Sequence, residues 1–253
     1  VTTLSRLWIL PGLGLFVALA ALPSRAAPLP ATATSADWPK TTPVDRKRSE
    51  NNLKEIMLAM WNYHDSMGAF PPAAVTNKAG KPLLSWRVMI LPYIEQNALY
   101  GEFKLDQAWD SPANKKLLAK MPKVYGLPGV RVKPEYGTFY RVFTGPDTPF
   151  RGNAGLRVVQ ITDGTANTLF VAEGGEAVPW TKPDELAVGA RKPLPKLGGL
   201  FPEGFHTALA DGTVKLLGRK VPERTLRALI SPAGGEVVDW TKVPLAKAPA
   251  AKK

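Results

Sequence analysis

The sequence predicts an α+β fold, with helices early in the chain and strands late. Two observations carry this. Leu53, Ile56, Met57, Met60, His64 and Met67 recur at three- and four-residue steps, the signature of an amphipathic helix. From Thr138 onward, short apolar runs flank Asp-Gly turns, the strongest short-range hairpin signal. Helices followed by strands point to an N-terminal amphipathic helix packed on an antiparallel sheet, with additional short helices.

The elements follow in chain order. Residues 1–26 read as a secretory signal peptide. Arg6 precedes an uncharged apolar run from Leu7 to Leu22, and Ser24-Arg25-Ala26 supplies small residues at a cleavage site. The expectation is export to the periplasm or cell exterior, with membrane attachment only if that segment stays uncleaved. Residues 27–41, rich in Ala, Pro, Thr and Ser, read as a flexible linker.

Residues 42–240 read as a single domain. Thr42-Pro43-Val44-Asp45 opens its first helix as cap, first-position proline and capping acid. Gly68 and Pro71-Pro72 end it. A second helix is expected over Leu84–Phe103, capped by Ser85 and kinked or split at Pro92. A third is expected over Ser111–Lys120. Thr138–Phe143 alternates as a strand. Leu156–Ile161 and Thr168–Glu173 flank the turn at Asp163-Gly164. Phe205–Ala210 and Thr213–Leu217 flank Asp211-Gly212, read as a two-residue hairpin with positive φ at both positions. A short helix from Pro222-Glu223 to Ile230 and a strand at Glu236–Trp240 complete the body. Residues 241–253 form a basic Ala/Pro/Lys tail, expected to be mobile.

Composition removes several chemistries. Among 253 residues there is no Cys, which excludes disulfides and thiol catalysis, and only two His, which excludes a multi-histidine metal centre. No cofactor is implied. Lys and Arg number 33 against 21 Asp and Glu, a formal charge of +12. No nucleic-acid-binding motif accompanies that charge, so it reads as a solvated basic surface and tails, with no nucleic-acid partner.

Candidate chemistry is sparse. His64 and His206 are the available bases, and Ser49, Ser66 and Ser85 sit nearest in pattern as nucleophiles. None lies in a G-x-S-x-G frame. Asp163 and Asp211 stand beside glycines, where a turn outweighs a calcium loop because D-x-[DN]-x-[DN]-G is absent. Pro179, Trp180 and Pro183 lie within five residues and read as an ordered loop suited to an interaction surface.

The segments SENNLKEIMLAMWNYHDSMGAFPPA, LLSWRVMILPYIEQNALY, ITDGTANTLFVAE, EAVPWTKPDEL and LPKLGGLFPEGFHTALADGTVKLL resemble the planctomycete domain of unknown function 1559 family, over roughly residues 47–240. That family is also known by an H-x9-DG pattern and a solute-binding label. The resemblance implies a pilin- or pseudopilin-like head. It marks Asp163, Gly164, Asn167, His206, Asp211 and Gly212 as family-motif positions, read here as structural. Two departures stand out. No Glu precedes Glu50, so the prepilin leader signal is missing. The pattern's His position holds Phe201, while His206 stands five before Asp211, where many members have Asn. The expected function is an exported non-enzymatic protein with a pilin-like head. It would act in cell-envelope interaction or assembly, with envelope or secreted protein partners. The alternative is a periplasmic binding module for a small solute or glycan, which would need a pocket lined by Trp and polar groups. A hydrolase would need a His within reach of a Ser and a carboxylate.

Overall fold

The computed structural model describes residues 39–246. The expected signal peptide, most of the linker and the end of the tail lie outside the described residues. Helix α1 spans Pro43–Met67 and begins as its sequence dictates. Thr42 Oγ1 accepts the Asp45 N–H at 3.2 Å, and the Asp45 carboxylate accepts the Thr42 N–H at 2.8 Å, which satisfies two orphan donors reciprocally. Gly68 ends the helix at φ 76, a conformation glycine accepts without strain. Leu53, Ile56, Met57 and Met60 are wholly buried. His64 is half-buried and Met67 exposed, so the apolar stripe leaves the core before the helix ends.

The single helix expected over Leu84–Phe103 does not form. Leu84 and Ser85 belong to strand β2 (Pro82–Ser85), which pairs antiparallel with β1 (Ala74–Thr76) in a small hairpin. Ser85 then caps α2 (Trp86–Met89), accepting the Arg87 N–H at 3.3 Å. Around Pro92 the chain tightens into a 3-10 turn, Leu91–Ile94. Glu95 takes a left-handed φ of 60 before α3 (Asn97–Glu102). A proline lacking its N–H and a residue at positive φ together prevent a continuous helix. The expected third helix splits into α4 (Pro112–Lys115), capped by Ser111, and a 3-10 turn at Lys116–Lys120.

The main sheet holds β3 (Gly137–Thr144), β4 (Leu169–Pro179), β5 (Leu186–Ala187), β6 (Gly204–Leu209) and β7 (Val214–Gly218), in the order β5-β3-β4-β6-β7. Four strands are antiparallel neighbours, but β5 runs parallel to β3, so the sheet is mixed at one edge. Tyr140, Val142, Phe170, Val171 and Ala208 join the core beneath α1. Phe143, Leu169, Ala172, Phe205 and Leu209 join a second core with α5 (Glu223–Ile230). Because both faces are covered, β6 is buried throughout instead of alternating.

Two expected strands are absent. Leu156 and Ile161 are buried, but the chain between them is a 3-10 turn, with Val159 pointing to solvent. Phe70 N–H instead holds the Leu156 carbonyl at 2.9 Å, tying this segment to the loop after α1. Glu236–Trp240 fails as a strand because Val237 is exposed and faces no core. A 3-10 turn at Trp240–Lys242 follows. The tail departs from expectation at its start. Val243 is buried, the Gly218 N–H donates to Pro244 O at 2.8 Å, and Ala246 N–H donates to Leu216 O at 3.0 Å. Residues 243–246 thus cover the outer edge of β7.

The other sheet edge is finished by side chains. β5 pairs with β3 only at Phe143 and Thr144. One step earlier, Glu185 accepts the Val142 N–H at 2.9 Å, and the buried Arg87 guanidinium donates to Tyr140 O at 3.0 and 2.8 Å. Arg87 and Glu185 also face each other in two contacts, at 2.9 and 3.3 Å. This buried ion pair continues the ladder where β5 has not begun, so the edge presents no open row of backbone groups there. Tyr125 donates its hydroxyl to the Arg87 carbonyl at 2.7 Å. Burial pushes that phenol above the usual tyrosine range, which keeps it a donor.

Candidate functional site

A cleft of about 870 Å³ is bounded by segment 121–137, by Phe139 and Tyr140 of β3, and by Leu200. Short turns shape the segment: Tyr125 N–H donates to Pro122 O at 3.1 Å and Val130 N–H to Leu127 O at 3.0 Å. Asn52 of α1 anchors it by donating to Gly126 O at 2.9 Å. Met121, Leu127, Val132 and Leu200 make the lining largely apolar, and Arg131 and Lys133 stand exposed on the lip. No Trp lines it; its aromatic lining is Tyr125, Tyr136, Phe139 and Tyr140.

Beside the cleft runs a buried polar network. Asn52 donates to the Tyr140 hydroxyl at 3.2 Å, and that hydroxyl donates to Ser49 Oγ at 2.9 Å. Ser49 Oγ donates to Glu173 Oε1, which also lies 3.0 Å from His206 Nδ1. The His206 backbone N–H donates to Glu173 Oε2 at 2.8 Å. Ser49 and Glu173 are fully buried, and His206 is 4% exposed. Burial first, and the Glu173 carboxylate second, push the Tyr140 phenol above its ordinary range, so it remains protonated and donating. The network joins α1 to β3, β4 and β6.

A Ser, a His and a carboxylate therefore do meet, but not in the order of a hydrolase. A serine nucleophile needs the imidazole between itself and the acid. Here the carboxylate stands between serine and imidazole. The Phe201 and His206 rings pack edge to face with centroids 5.3 Å apart, so Phe201 covers the imidazole. His64, the other base, packs among Trp61 and Phe70 at the far end of α1. Ser66 donates to Asn62 O, and Ser85 is held by the Arg87–Glu185 pair.

The remaining motif positions gather at one end of the sheet. Asp211 N–H donates to Thr165 O at 3.2 Å, which brings the two Asp-Gly turns together. The Asp211-Gly212 hairpin differs from the expected two-residue form. Gly212 N–H donates to Leu209 O at 3.0 Å and Leu209 N–H to Thr213 O at 2.8 Å, enclosing three loop residues. Only Gly212, at φ 85, is left-handed, as in a turn closed by a glycine bulge. Asp211 accepts the Thr213 N–H at 2.8 Å and its hydroxyl at 3.0 Å. Asp163 reaches further, accepting Gly234 N–H at 2.7 Å and Gly235 N–H at 2.9 Å. Asn167 donates to Asp163 O and accepts the Trp240 indole N–H at 3.0 Å. Gly164, at φ 91, permits the turn. Among the described residues, no three His, Asp or Glu side chains converge as a metal site.

The expected interaction loop is also placed differently. Trp180 is wholly buried. Its indole N–H donates to Leu118 O at 3.0 Å, and its ring stacks on Tyr125 at 5.7 Å, behind the cleft floor. Pro179 ends β4, and Pro183 is half-buried beside Glu185. Any partner surface at this loop therefore excludes the Trp180 ring.

Sequence reasoning passed over Glu173, Tyr140, Arg87 and the Arg131–Lys133 lip. Glu173 did leave a trace, as a lone charge closing the apolar run Leu169–Ala172.

Residues 46–149 match the family described as Protein of unknown function (DUF1559), whose label is SBP_bac_10. The family resemblance read from the sequence is supported over this segment. The match spans most of α1, through β3, and so contains Ser49, Asn52, Arg87, Tyr140 and the lip of the cleft. Glu173, Glu185 and His206 lie beyond it. No curated protein and no solved structure matches the chain.

Proposed function

We propose that this protein is an exported, non-enzymatic head that acts by interaction or assembly in the cell envelope. The observation that carries this reading is the contrast between its two candidate sites. The Ser49–Glu173–His206 network is closed to solvent and arranged to hold α1 on the sheet. The accessible concave surface is an apolar cleft with a cationic lip and no paired nucleophile and base in its lining. Such a surface suits recognition more than bond breaking. A long helix laid on an antiparallel sheet also fits a pilin-like head, which the family resemblance implies.

Fractionation with N-terminal sequencing tests the address. The expected result is mature protein outside the cytoplasm, beginning at Ala27. A full-length cytoplasmic protein would overturn the export reading. Affinity capture from envelope extract tests the mode of action, with a stoichiometric envelope protein as the expected product.

A further inference from the structure

We infer that the cleft under segment 121–137 docks an acidic peptide segment that inserts an apolar side chain, with Arg131 and Lys133 reading its charge. This rests on the interaction reading above and names the chemistry of the partner.

Charge supplies the first argument. From Lys115 to Lys133 the chain carries six cations and no carboxylate. Lys120 pairs with Glu102, but among the described residues Lys123, Arg131 and Lys133 have no ion-pair partner. The acid on the lining, Glu135, is turned to the Tyr136 hydroxyl, whose pKa it raises. A lip with uncompensated positive charge attracts an anion and selects against a cationic partner.

The second argument is the floor. Met121, Leu127, Val132, Phe139 and Leu200 line the same cleft as those cations and make its apolar part. An anchor side chain buried there gains from water exclusion, while flanking carboxylates meet the lip. The third is backbone. Among the described residues, no hydrogen bond engages the main chain of residues 131–135. An extended peptide can pair with those groups, as in strand addition. An acyl chain cannot, which favours peptide over anionic lipid.

The test uses the full chain and three fluorescent decapeptides read by anisotropy. One alternates Glu with Leu and Phe, one replaces each Glu by Lys, and one is all Glu. Phosphatidylglycerol vesicles serve as the lipid arm. Saturable binding of the first peptide is expected, tightening at low salt. Combined Arg131→Glu and Lys133→Glu should weaken it by about tenfold or more with the melting temperature unchanged, since both residues are exposed. Val132→Asp should weaken it independently through the floor. The proposal is overturned by equal binding of the Lys peptide, by undiminished binding to the doubly reversed variant, by no saturable binding up to millimolar peptide, or by vesicles displacing the peptide. Repeating the envelope capture with the doubly reversed variant separates the two readings. A partner retained by that variant ends the cleft proposal alone. Failure of both proteins to capture any envelope component ends the interaction reading itself.

Discussion

Two buried polar clusters flank Tyr140, and they use similar parts for different ends. On one side its carbonyl meets Arg87, which pairs with Glu185, so opposite charges sit in contact and complete a strand edge. On the other side its hydroxyl meets Ser49, and through Ser49 the Glu173 carboxylate. There the carboxylate lies in ion-pair geometry with His206 and is held by donors from two elements, α1 and β6. The first cluster replaces missing backbone partners. The second pins a helix to a sheet. The difference teaches that a buried charge is explained by what its hydrogen bonds complete, not by its presence alone.

The largest effect should come from breaking the ion pair. Glu185→Ala leaves the Arg87 guanidinium buried and unpaired, with an expected loss of about 3–5 kcal/mol in urea unfolding. The double variant Arg87→Met with Glu185→Leu sharpens the point. An isolated buried pair replaced by apolar residues is often neutral, but here Tyr140 O and Val142 N–H lose their partners. A residual cost of about 1–3 kcal/mol is expected. A double variant as stable as the parent would show that the edge needs no side-chain partners.

In the second cluster, Glu173→Gln keeps the shape but puts an amide donor among donors. The expected loss is about 2 kcal/mol, within the range for a buried unsatisfied group. His206→Asn should cost less, about 1 kcal/mol, because the backbone N–H to Glu173 survives. Equal losses for the two variants would move the hub from the carboxylate to the imidazole.

The two tyrosines give a milder, pH-dependent test. Tyr125 serves the first cluster and Tyr140 the second, and burial raises both phenols above the ordinary value of 10.0. In the unfolded chain they lose their protons near that value, whereas the fold holds them protonated. Stability from these groups is therefore complete below about pH 10 and falls as pH rises above it. Absorbance titration near 295 nm should show two of the six tyrosines ionising only with unfolding. The smallest effect belongs to the solvent face of α1. Lys54→Glu replaces an exposed 2.6 Å pair with Glu50 by like charges and should cost about 0.5 kcal/mol or less in the same urea assay.

The legible parts were those with local causes. Thr42, Pro43, Asp45 and Gly68 bound α1 through contacts a few residues apart, and Gly212 closes a hairpin through bonds confined to Leu209–Thr213. Misreadings arose where a distant partner decided. Leu84–Phe103 has helical periodicity, but β1 claims its first residues. Asp163 and Asp211 stand before the same Gly-Thr, yet one caps its own turn and the other binds Gly234 and Gly235. The loop holding Pro179, Trp180 and Pro183 read as an interaction surface because its prolines and charges carry no record of the Tyr125 ring stacked on Trp180.

The sequence by itself determined the class: a capped amphipathic helix, then strands joined by Asp-Gly turns, with composition excluding thiol and multi-histidine chemistry. Those features depend on backbone geometry and residue chemistry within a few positions. The tertiary structure alone decided that Ser49, Glu173 and His206 share one buried hub, that Arg87 and Glu185 complete β3, and that Leu200 closes a cleft lined by Lys123, Arg131 and Lys133. Each of these joins residues far apart in the chain. Their energies come from burial and from hydrogen-bond partners that exist only once both sheet faces are covered.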